Sequence, residues 1–137
     1  MSPSAIFGTQ LVLAYVPWLL FICAFVWPRL ESMNYVQAQR MIATLHSFRF
    51  FGLVFILPGV VGPDLPAKFA TSAAYGDFTT GILAMLALMT VRLRPLFWLF
   101  VVAFNITGAA DLLLNYYHGA EFGLPEHAGD LAAAYWI

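Results

Sequence analysis

No Asp, Glu, Lys or Arg occurs between Thr9 and Trp27, between Phe50 and Gly62, between Phe78 and Val91, or between Pro95 and Ala110. Four charge-free apolar stretches of this kind constrain the fold more than any motif, because a helix of roughly 20 apolar residues crosses about 30 Å of hydrocarbon. Composition points the same way. Of the 137 residues 62% are hydrophobic and only 9% charged, with a mean hydropathy of +0.83, whereas soluble domains carry about 25% charged residues. The sequence therefore predicts an all-α integral membrane four-helix bundle, up-down in topology, with the lipid bilayer as its first partner. Six basic and seven acidic residues leave a net charge of -1, so the concentrated basic patch that nucleic acid requires is missing. The single Cys23 has no partner for an intrachain disulfide.

The span boundaries follow from length. The run 50–62 amounts to about 20 Å of helix and is too short to cross. The second helix is therefore expected to start near Ile42, which draws His46 and Arg49 into the membrane. The same argument starts the third helix near Ser72, including Asp77, and carries the fourth to Tyr117, including Asp111. The expected spans are 8–27, 42–62, 72–91 and 95–117 in one domain covering 1–137, with Pro58 inside the second helix as a kink beside Gly59. The N-terminal segment lacks the positive region of a cleaved signal peptide, so the first helix is expected to stay. Seven apolar residues after Asp130, about 10 Å of helix, are expected to lie at the interface or to open a fifth helix in a longer chain.

Orientation rests on basic residues in short loops. Arg29, Arg40, Arg92 and Arg94, with Arg49 nearby, fall on one side and Lys68 on the other. The positive-inside rule places the arginines in the cytoplasm and the N-terminus outside, in a cell inner membrane. Trp27, Phe97 and Trp98 are expected at the cytoplasmic interface, with Tyr116 and Tyr117 at the outer one.

Ionisable groups inside a membrane are costly and mark candidate sites. Asp77 and Asp111 fall at similar depth on neighbouring helices. Facing each other they would hold one shared proton or a cation. Asp111, Asn115 and His118 share a helix face, continued by Ala103 and Thr107, and this set reads first as an interhelical hydrogen-bond seam. His46 and Arg49 form a polar pair on the cytoplasmic side. Arg49 lies roughly 12 Å in depth from either Asp on these boundaries, so snorkelling to lipid phosphate or backbone carbonyls is expected ahead of a direct ion pair. Haem or pigment ligation by His46 would need a second axial ligand at matching depth, which the sequence lacks. Neither a cofactor nor a metal is expected, since one His among acids falls short of the usual three or four ligands. On the first helix Trp18, Phe21 and Phe25 form one stripe and are the candidate partner-facing residues.

The stretch Arg49 to Asp111 resembles a group of bacterial polytopic membrane proteins through three islands: Arg49-Phe50-Phe51-Gly52 followed by Phe55; Leu65-Pro66-Ala67-Lys68-Phe69-Ala70; and Gly76-Asp77 followed by Gly81. The resemblance implies a helical membrane protein and brings no activity with it. No nucleotide, haem or protease motif is present, so the first expectation is a non-catalytic accessory or assembly subunit of a larger membrane protein complex. Two alternatives stay open. One is a small proton- or cation-coupled transporter built on Asp77 and Asp111, and the other is an enzyme acting on a lipid or quinone with His46, Arg49 or His118 as acid or base.

Overall fold

The computed structural model describes residues 3–61 and 65–121, and every element among them is helical. The end of the second expected span at Gly62 lies outside these residues. So do Glu126, His127 and Asp130, and the tail read as an interfacial segment or the opening of a fifth helix.

The first apolar stretch folds as one composite rod. Helix α1 (Pro3–Phe21) passes through a π-helical segment (Ile22–Val26) into α2 (Trp27–Glu31). At the joint the Trp27 N–H donates to the Ile22 carbonyl, five residues back. Pro28 explains the wide turn: it has no N–H to give, and its ring would crowd the carbonyl of Ala24 in a regular α-turn. The rod is about 43 Å long, longer than the span 8–27.

The second rod begins at Tyr35, well before Ile42. Asn34 sets this start through a capping box: its side chain accepts from the Gln37 N–H at 3.0 Å, and Gln37 Oε1 accepts from the Asn34 N–H at 3.3 Å. Helix α3 (Tyr35–Ser47) then tightens into a 3-10 segment (Phe48–Ile56). That segment is rich in aromatic and β-branched residues, which lose side-chain freedom in an α-helix. Pro58 does not kink this rod. The helix has already ended at Ile56, and Leu57 is extended. Pro58 and Gly59 instead form the centre of a type II turn, with Gly59 at φ +79° and the Val60 N–H donating to the Leu57 carbonyl at 3.3 Å.

Helices α4 (Ala67–Met89) and α5 (Arg94–Glu121) follow, joined by a tight turn in which the Leu93 N–H donates to the Thr90 carbonyl at 2.8 Å. Helix α4 thus starts five residues ahead of the expected Ser72. Among the described residues α4 and α5 are by themselves long and apolar enough to cross a membrane, with window mean hydropathies of 1.2 and 1.8.

One apolar core joins α3, α4 and α5. It consists of Ala43, Ala84, Ala87, Phe97, Val101 and Phe104, with Val36, Ile42, Leu88 and Val91 against it. The start of α3 therefore meets the end of α4 and the start of α5, so the three alternate in direction. The opposite end closes with Phe55 edge-on to Phe69, their ring centroids 6.5 Å apart. Phe97, expected at the interface, is fully buried in the core. It begins the ridge Phe97, Val101, Phe104, Gly108 and Asp111, which α5 turns inward at alternating steps of four and three. Ala103 and Thr107, expected on this face, flank it and are half-buried.

The first rod stands apart from this core. Its apolar side chains at Val12, Leu13, Val16, Leu19 and Leu20 are all exposed. A hydrogen bond between the Tyr15 and Tyr116 hydroxyls ties it to α5.

Candidate functional site

Arg49 is the second residue of the 3-10 segment, where three residues per turn bring Arg49, Gly52 and Phe55 into one row. All three positions face α4. Arg49 Nε donates to Asp77 Oδ1 at 2.6 Å, and Phe55 packs on Phe69. Gly52 lies so close to Asp77 that a Cβ there would overlap its side chain. The guanidinium also reaches α5. Its Nη2 donates to Asp111 Oδ2 at 2.6 Å, and its Nη1 faces the Gly108 carbonyl at 3.5 Å. One arginine thus ties three helical segments together through two ion pairs.

This corrects the expectation that Arg49 snorkels away from the aspartates. The roughly 12 Å of separation assumed helices starting at Ile42 and Ser72. With starts at Tyr35 and Ala67, Arg49 lies about 21 Å along its rod and Asp77 about 15 Å along α4 running the other way. Asp111 is ten residues from the end of α5 at Glu121, again about 15 Å. All three therefore meet near mid-bundle. Arg49 and Asp77 side chains are 15% and 21% exposed, and that of Asp111 only 5%.

Each charged group rests against a glycine of a neighbouring segment. Asp77 packs on Gly52, and the Asp111 carboxyl fills the space where a Gly76 Cβ would stand. A Cβ on Gly108 would come within 2.8 Å of Arg49 Nη1 and 3.0 Å of Thr80 Cγ2. Thr80 is fully buried and satisfied locally, its hydroxyl donating to the Gly76 carbonyl at 2.9 Å. Gly81 lets the backbone of the second rod approach, since a Cβ there would stand 3.0 Å from the Phe50 nitrogen. The three sequence islands are thus a single contact set. Gly52, Gly76 and Gly108 were not read from the sequence as part of a site, although the Arg-x2-Gly-x2-Phe spacing carries the period-three signal of a 3-10 face.

The remaining candidates separate. Asn115 joins the triad, its Nδ2 donating to Asp111 Oδ1 at 3.2 Å. His118 turns to Glu121, with Nδ1 3.2 Å from Oε2, and stacks edgewise on Tyr117. The His46 ring packs on Phe104 at 5.3 Å, and its Nδ1 is buried without a hydrogen-bond partner. Trp18, Phe21 and Phe25 are exposed at 55%, 49% and 68%; Trp18 meets Phe21 edge-on and Phe21 meets Phe25 tilted, with centroids 6.1 and 5.6 Å apart.

The arrangement is chemically a pin. A guanidinium fork that engages two carboxylates from two different helices fixes register and rotation of both. The chain belongs to the family described as a domain of unknown function, DUF8737, which matches residues 6–137. No curated protein and no solved structure matches it.

Proposed function

We propose that this DUF8737 protein is a non-catalytic accessory or assembly subunit of a larger membrane protein complex, inserted as a four-span bundle in the inner membrane. Its N-terminus lies outside and the ends bearing Arg29, Arg40, Arg92 and Arg94 are cytoplasmic. The observation that carries this reading is the division of the chain into two unlike parts. Helices α3 to α5 pack on one another around an ion-paired centre. The first rod presents exposed apolar and aromatic side chains from Val12 to Phe25 instead of packing into that core. In a bilayer such a face meets lipid or another helix, and the aromatic side chains gathered on it are of the kind that protein interfaces favour. The partner meets Trp18, Phe21 and Phe25.

The two aspartates support a pinning role over carriage of a substrate, because both are engaged by one guanidinium. Photo-crosslinking from Trp18 and Phe25 in native membranes tests the proposal. A discrete protein adduct is the expected result. Adducts to lipid alone from both positions would overturn it.

A further inference from the structure

We infer that the Arg49–Asp77–Asp111 triad is a proton-binding site that holds one proton on its aspartate pair at neutral pH. The inference rests on the membrane setting proposed above, because in water the extra charge would need no compensation. Arg49 brings one positive charge to two carboxylates, and Asp111 is almost wholly buried. Each carboxylate receives a single donor from the fork, Nε to Asp77 and Nη2 to Asp111. One negative charge is left over near mid-bundle, where an uncompensated ion is costly.

Among the described residues no neighbouring group supplies a second cation. From α3 the facing group is His46, whose buried Nδ1 has no acceptor to hold an imidazolium proton beside Arg49. Lys68 is exposed at the start of α4, nine positions before Asp77. On α5, His118 meets Glu121 and Tyr116 meets Tyr15 of the first rod. A metal cation fits poorly, since hard cations gather six or more oxygens and the side-chain oxygens of the triad outside the arginine's hydrogen bonds are Asp77 Oδ2, Asn115 Oδ1 and Asp111 Oδ1, the last of which accepts from Asn115. A proton needs only one of them.

Asn115 supplies a second, independent sign. Its Nδ2 faces Asp111 Oδ1 at 3.2 Å, while its own Oδ1 is buried without a donor. A proton on Asp111 Oδ1 turns that contact into one the amide oxygen can accept after an amide rotation.

Infrared spectroscopy of the full chain in lipid nanodiscs, with isotope-labelled aspartate, reads the proton directly. The expected result is a protonated aspartic-acid carbonyl band at neutral pH in the wild type. Asp77→Asn and Asp111→Asn should each abolish the band, because either leaves one carboxylate matched by one guanidinium. Arg49→Gln should strengthen it, because both carboxyls then stay protonated. Absence of the band in the wild type would overturn the inference, and so would its survival in either Asn variant. A band that appears only after sodium is withdrawn would overturn it too, since the site would then hold a cation. Extraction of the wild type with alkaline carbonate is run beside these spectra. Release from membranes sinks the membrane setting, whereas retention without the band sinks only the proton.

Discussion

At the scale of single residues, Arg49 is the side chain on which most depends, because removing it leaves the half-buried Asp77 and the buried Asp111 without their shared cation. Arg49→Ala should cost about 3–5 kcal/mol of stability, read as a large fall in the thermal midpoint in detergent. Arg49→Lys should rescue little, since an ammonium has no planar fork to reach carboxylates on two helices. The glycines give a sharper test of the packing. Gly76→Ala drives a methyl into the Asp111 carboxyl and Gly52→Ala drives one into Asp77, so each should cost about 1–3 kcal/mol. Gly8→Ala is the control, because a Cβ at Gly8 meets nothing within 4 Å. A thermal midpoint for Gly76→Ala equal to that of Gly8→Ala would contradict the close approach of α4 and α5.

At the scale of elements, the second rod is the least regular part of the chain, and its two ends are fixed by local chemistry. Asn34 and Gln37 cap the start of α3 reciprocally, and Asn34→Ala should cost about 1 kcal/mol. The far end is set by the left-handed backbone of Gly59, where alanine is strained. Gly59→Ala should destabilise by about 1 kcal/mol or more, while alanine at Pro58, whose ring only presets the turn, should cost less. Denaturation followed by tryptophan fluorescence ranks the three. The intervening 3-10 segment aligns Arg49, Gly52 and Phe55 with α4. A regular α-helix would spread those three over a wide arc, so the ion pair with Asp77 depends on this departure from α geometry.

At the scale of the whole molecule, the core formed by α3, α4 and α5 draws no buried residue from the described side chains of the first rod. A chain lacking the first rod should therefore remain folded in detergent, and size-exclusion chromatography would show a monodisperse species. Aggregation would place the first rod within the core's stability. Orientation is tested by cysteines introduced at Ser4 and Ser32. Labelling at Ser4 but not Ser32 from the outside is the expected outcome, and the opposite pattern would invert the topology.

The apolar stretches by themselves determined the helical class and the number of rods, because charge-free length is a property of sequence alone. They could not set the ends of the rods. Asn34 and Pro66 start α3 and α4 outside the apolar windows, the first by a polar cap and the second as a proline that precedes the helix, and neither carries a hydropathy signal. Those few extra residues changed the relative depth of Arg49, Asp77 and Asp111 from separated to touching. Only the tertiary structure decided that Phe97 is core, that His46 packs on Phe104, and that Gly52, Gly76 and Gly108 are the seats of three charges. The physical reason is the same in each case: which face of a helix turns inward depends on its neighbours, and an ion pair between residues 28 and 62 positions apart exists only once three segments have closed around it.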